Sequence, residues 1–100
     1  MDFYLLTDTA LIEGIGWKLR ELRIEMNMTQ IELADAAGVG ISTVREAEKG
    51  NNISLAKLVR ILRALRRLDI LEPFFAPKPD SPIAMSKAQG AIKPRKRVRK

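Results

Sequence analysis

The stretch Thr29–Gly50, TQIELADAAGVGISTVREAEKG, decides the fold. It opens on Thr29-Gln30-Ile31-Glu32, which reads as a capping box. The Thr29 hydroxyl is placed to accept from the Glu32 amide, and the Glu32 carboxylate to accept from the Thr29 amide. A short helix follows whose apolar side is Ile31, Leu33, Ala34 and Ala37, spaced for one face of a 3.6-residue period. Gly38 stands where that helix must stop in a left-handed cap, a conformation that costs glycine less than a residue with a β-carbon. Val39 is a lone apolar residue in the turn, placed to plug the angle between two helices. The second short helix, Ile41 to Glu48, is closed by Gly50.

Helix, glycine turn, helix within about twenty residues is the spacing of the helix-turn-helix, which lays its second helix in the DNA major groove. The segment resembles the Xre family, the Cro-like and phage-repressor-like helix-turn-helix proteins. Thr29, Gln30, Leu33, Ala34, Gly38, Val39, Thr43, Val44, Glu48 and Gly50 stand in register with the family pattern. The resemblance runs from about Gly16 to Leu68, taking in Lys18–Arg23 before the motif and Ser54–Leu62 after it. It implies an all-α fold: a compact five-helix phage-repressor-like domain, followed here by a flexible basic C-terminal tail.

The flanks fit that plan. Residues 1–8 form an N-terminal arm; its Phe3, Tyr4, Leu5 and Leu6 are too apolar for a free tail and are expected to pack on the domain or on a second subunit. Thr7, Asp8 or Thr9 caps a long helix running to Met26, with Leu11, Ile12, Ile15, Leu19, Leu22 and Met26 as its apolar stripe. Gly14 and Gly16 interrupt this helix and mark either a close approach of a neighbour or an irregular start. Ser54 is a natural N-cap for a helix from Leu55 to Leu68 that turns Leu55, Leu58, Val59, Leu62 and Leu65 inward and Arg60, Arg63, Arg66 and Arg67 mostly outward. Asp69 caps a last short helix, residues 70–75. The domain thus spans residues 9–75, with its motif at about 29–48. Residues 76–100 are a Pro-rich linker (Ala76–Pro82), a short helix opening at Ser81-Pro82, and a basic end too poor in apolar side chains to fold alone.

Composition narrows the function. The 100 residues hold no cysteine and no histidine, so disulfides, the commonest metal ligand and the commonest general base are all missing. There is also no phosphate-cradling glycine loop, and the carboxylates are scattered. An enzyme, a cofactor and a metal centre are therefore not expected. No apolar run approaches the ~18 residues of a membrane span, and MDFYLLTDTALIEG lacks the basic opening of a secretory signal. A cytoplasmic, nucleoid-associated protein is expected. The net charge is +6, unevenly placed: residues 1–75 carry ten Lys or Arg against eleven Asp or Glu, whereas residues 76–100 carry eight against one. Such a tail suits either solubility or contact with a polyanion.

The resemblance implies which side chains meet double-stranded DNA. Gln30 bonds a phosphate or braces the recognition helix. On that helix Ile41, Ser42, Arg45 and Glu46 face outward, with Val44 and Ala47 turned into the core. Arg45 suits the O6 and N7 of guanine, Ser42 several base edges, and Ile41 a thymine methyl. Glu46 either accepts from a cytosine amine or orients Arg45. Thr43, Lys49 and Asn51 are phosphate contacts. Arg23 and Glu48 form a structural ion pair tying the first helix to the end of the third. Two positions depart from the family: Gly40 stands at a cap more often Ser or Thr, and Ile41 replaces a position more often polar. The expected function is a sequence-specific transcriptional regulator, a homodimeric repressor of an inverted-repeat operator. The alternative is a Hip-type antitoxin that represses its own operon and binds a toxin through a terminal extension.

Overall fold

The computed structural model describes residues 2–77. Among them are five α-helices: α1 (Asp8–Glu25), α2 (Gln30–Ala37), α3 (Ile41–Glu48), α4 (Leu55–Ala64) and α5 (Glu72–Phe75), with 3₁₀ turns at Phe3–Leu5 and Leu68–Leu71. The architecture is all-α, with no strand among the described residues. The readings of the linker beyond Pro77, of a helix from Ser81 and of the basic end lie outside the described residues.

Local sequence starts each helix. Thr7 caps α1, its hydroxyl accepting from the Ala10 amide at 3.0 Å. The box at α2 is complete, with Glu32 N–H donating to the Thr29 hydroxyl at 3.0 Å and Thr29 N–H donating to the Glu32 carboxylate at 2.8 Å. Ser54 caps α4 by accepting from the Lys57 amide at 3.1 Å. Gly40 caps α3 with no side-chain bond.

A shared backbone device ends them. At Asn27, Gly38, Gly50 and Arg66, φ is +56°, +71°, +86° and +60°. In each case the next residue's N–H reaches back five residues: Met28 to Arg23, Val39 to Ala34, Asn51 to Glu46, Arg67 to Leu62. This is the Schellman arrangement, which satisfies carbonyls that the helix leaves open. Two of the four left-handed positions carry side chains. Arg66 explains why α4 stops at Ala64 and not at Leu68, as its apolar spacing suggested.

The core of the first compact unit, residues 1–68, is Leu19 and Leu22 of α1, Leu33, Ala34 and Ala37 of α2, Val44 and Ala47 of α3, and Ile61, Leu62 and Leu65 around α4. α1 packs on α3, α2 on α3 and α4, and α3 on α4. Burial of each large aliphatic side chain here contributes about 1.5–3 kcal/mol.

Several apolar residues expected inside are not. Ile15 and Met26 are exposed because α1 meets α3 at Gly16, which is itself buried and centres the covered arc on Gly16, Leu19 and Leu22. Ile31 and Leu55 are also largely exposed. The covered arc of α4 is Leu58, Ile61, Leu62 and Leu65, so Ile61 takes a core place the sequence reading did not give it. Phe3, Tyr4 and Leu5 are exposed and so lie outside the domain's own core, while Leu6 is half-buried.

The chain divides after Leu68, and Asp69–Pro77 belong to a second unit. There Asp69 lies within the 3₁₀ turn; α5 starts only at Glu72, with Leu71 at its cap position and Pro73 in its first turn, where the missing N–H is harmless. No helix of the described residues is long and apolar enough to cross a membrane.

Candidate nucleic-acid interface

α3 is eight residues long and strongly two-sided. Val44 and Ala47 are buried, which aims the opposite arc outward. Ser42 and Arg45 are exposed; Ile41, Thr43 and Glu46 are half-buried at the borders of that arc. Lys49 and Asn51 follow the helix and are exposed. Arg45 has no carboxylate partner among the described residues.

One carboxylate ties the end of α3 to both preceding helices. Glu48 accepts from Arg23 Nε at 2.7 Å and Arg23 Nη2 at 3.1 Å, a two-pronged pair of α1 with α3. Gln30, the first residue of α2, donates its side-chain amide to the same carboxylate at 3.0 Å. Arg23 Nη1 also donates to the Met28 carbonyl at 2.8 Å, pinning the turn before α2. Side-chain exposure is 12% for Arg23 and 5% for Glu48, so the pair sits in a region where water screens it weakly. Of the two roles expected of Gln30, this geometry displays the brace.

Of the two roles expected of Glu46, orienting Arg45 is not the one this geometry displays. Its carboxylate accepts from Asn51 Nδ2 at 2.6 Å and lies 3.8 Å from Lys49 Nζ. It is thus tied to the residues after α3, with no bond to Arg45. Glu46, Lys49 and Asn51 form one small exposed network at the end of the helix.

The sequence reading missed what lies beside α3. Ser42, Thr43 and Glu46 line an open cleft of about 290 Å³ together with Asn52, Ile53, Ser54 and Lys57. Asn52, Ser54 and Lys57 were not among the expected site residues. The available signal was Ser54: a cap that starts α4 also fixes where that helix presents its free N–H groups and its first lysine.

A helix-turn-helix family model matches residues 19–72, more than half of the chain and all of the segment just described. No curated protein is significantly similar to the chain. The capping box, the left-handed Gly38 and the two-sided α3 are the structural content of that match, and the chain belongs to the Xre and Cro-like helix-turn-helix family of DNA-binding transcriptional regulators.

Proposed function

We propose that the protein is a repressor that binds an inverted-repeat operator as a homodimer, with α3 of each copy in the major groove. The observation that carries the reading is Arg45, exposed and unpaired among the described residues on the arc of α3 opposite Val44 and Ala47. A free guanidinium on that arc suits bidentate bonding to guanine. Ser42 and Ile41 add a polar and an apolar base contact beside it. Thr43, Lys49 and Asn51 serve the phosphates. Gln30 and Glu46 act chiefly by holding α3 and its following turn in place. Two copies are needed because one eight-residue helix buries too little surface for operator affinity, and half-sites one helical turn apart match a two-fold dimer.

Arg45→Ala tests the assignment. It should weaken binding to a duplex selected from a random pool by about 1–3 kcal/mol while leaving unselected DNA little changed. Equal losses on both duplexes would make Arg45 a phosphate contact and remove the carrying observation.

The antitoxin reading draws on one feature, which suits DNA contact equally: the segment 76–100 with its eight basic residues against one acid. If this tail lies on DNA, removing it flattens the dependence of log affinity on log salt by roughly 0.9 per lost phosphate contact. Parallel slopes for the full chain and for residues 1–77 would instead remove the tail from the DNA and leave it to solubility or to a protein partner, the latter being what a toxin-binding segment requires.

A further inference from the structure

Charge within the folded part is sorted along the chain. Residues 2–35 carry seven Asp or Glu against three Lys or Arg; residues 36–68 carry seven Lys or Arg against two Glu. Of those two, Glu48 is buried with Arg23 and Glu46 is tied to Asn51 and Lys49. Half of the remaining basic residues of this stretch, Lys57, Arg60 and Arg63, lie on α4.

α4 reads LAKLVRILRA and contains no acid. Lys57, Arg60 and Arg63 are all exposed and recur every three residues, rising about 9 Å along the axis. None has an ion pair among the described residues. Helix stability does not account for this arrangement. Like charges at such spacing repel, and Lys57 in the first turn opposes the positive end of the helix dipole; only Arg63, in the last turn, is favoured there. Nor is the ridge isolated from the interface. Lys57 lines the cleft it shares with Ser42 and Thr43 of α3, and Arg60 and Arg63 continue from it around the outer face of α4.

We propose that this ridge is a second, sequence-independent phosphate-binding surface, along which DNA flanking the bases read by α3 is drawn against α4. The proposal rests on DNA binding by the helix-turn-helix and goes beyond it in footprint. Arginines on an exposed helix discriminate no bases at this position; they add charge, affinity and a preference for DNA that bends toward them.

The test uses the full chain and two duplexes built on a sequence selected from a random pool. One is trimmed to the selected core and one carries flanks of about one helical turn on each side. Arg60→Ala with Arg63→Ala should leave thermal melting unchanged, since both side chains are exposed. On the flanked duplex it should flatten the salt slope by about 1.8. Wild type would then lose roughly tenfold more affinity between 50 and 200 mM salt than the variant does. On the trimmed duplex the two proteins should have equal slopes, and Arg60→Lys with Arg63→Lys should restore the wild-type slope on the flanked one. Equal slopes on the flanked duplex would overturn the proposal and point the ridge at an acidic protein. Equal flattening on both duplexes would overturn the flanking footprint. Failure of the wild type to select any duplex would instead strike the DNA-binding reading itself.

Discussion

Gly16→Ala is expected to destabilise the domain by about 3 kcal/mol, lowering the melting temperature by more than about 10 °C. A β-carbon at Gly16 would collide with the Ala47 carbonyl oxygen and lie 3.0 Å from both the Glu48 carbonyl oxygen and the Gly50 nitrogen. All three are backbone atoms at the end of α3, so no rotamer change relieves the overlap and α1 must lift away. The crossing is tight from the other side too. A β-carbon on Gly50 would come within 2.7 Å of Glu13 Cγ and 2.8 Å of Glu13 Cα, at a φ of +86°. The control lies two residues away: Gly14 has nothing within 4 Å of an added β-carbon. Gly14→Ala should therefore stabilise by about 0.5–1 kcal/mol, the ordinary gain of alanine over glycine in a helix. Thermal and urea unfolding of the two variants would decide the matter, and the same sign of change in both would contradict the crossing.

Glu48→Ala should cost a similar amount, about 3–5 kcal/mol, because it strands rather than merely deletes a charge. The Arg23 guanidinium is left with only the Met28 carbonyl as a hydrogen-bond partner, and the half-buried Gln30 amide loses its acceptor. Against the total stability of about 5–15 kcal/mol usual for a domain, that is a large share. Replacing both charges, Arg23→Met with Glu48→Leu, should recover part of the loss by removing the uncompensated charge. A melting curve unchanged in Glu48→Ala, with DNA binding alone lost, would remove the structural role and place the carboxylate at the DNA.

Both expectations bear on function through one element. α3 owes its orientation to the backbone contact at Gly16 and to the carboxylate of Glu48, and neither touches the arc that carries Arg45. Partial loss of either is thus expected to weaken specific binding by misplacing Arg45, even in protein that remains folded.

What the sequence determined by itself was local. The capping box at Thr29, the caps at Thr7 and Ser54 and the glycine stops at Gly38 and Gly50 each depend on bonds spanning five residues or fewer, so the residue types at those positions suffice to specify them. The inward Val44 and Ala47, and with them the outward Arg45, came from the family resemblance, and the burial of Val44 and Ala47 agrees with that orientation. Tertiary structure decided the rest. Periodicity gives the direction of a side chain but not whether a neighbour reaches it, so Ile15, Ile31 and Leu55 point along apolar stripes and still meet solvent. It could not say whether Gly14 or Gly16 received a neighbouring helix, since that depends on where α3 crosses. The left-handed Arg66 is an arginine in a conformation that its residue type disfavours, imposed by the turn that must follow α4. Arg23 and Glu48, twenty-five residues apart, were joined in advance only by family resemblance. That Gln30 shares their carboxylate, and that Glu46 is drawn to Asn51, depends on distances only the folded chain sets.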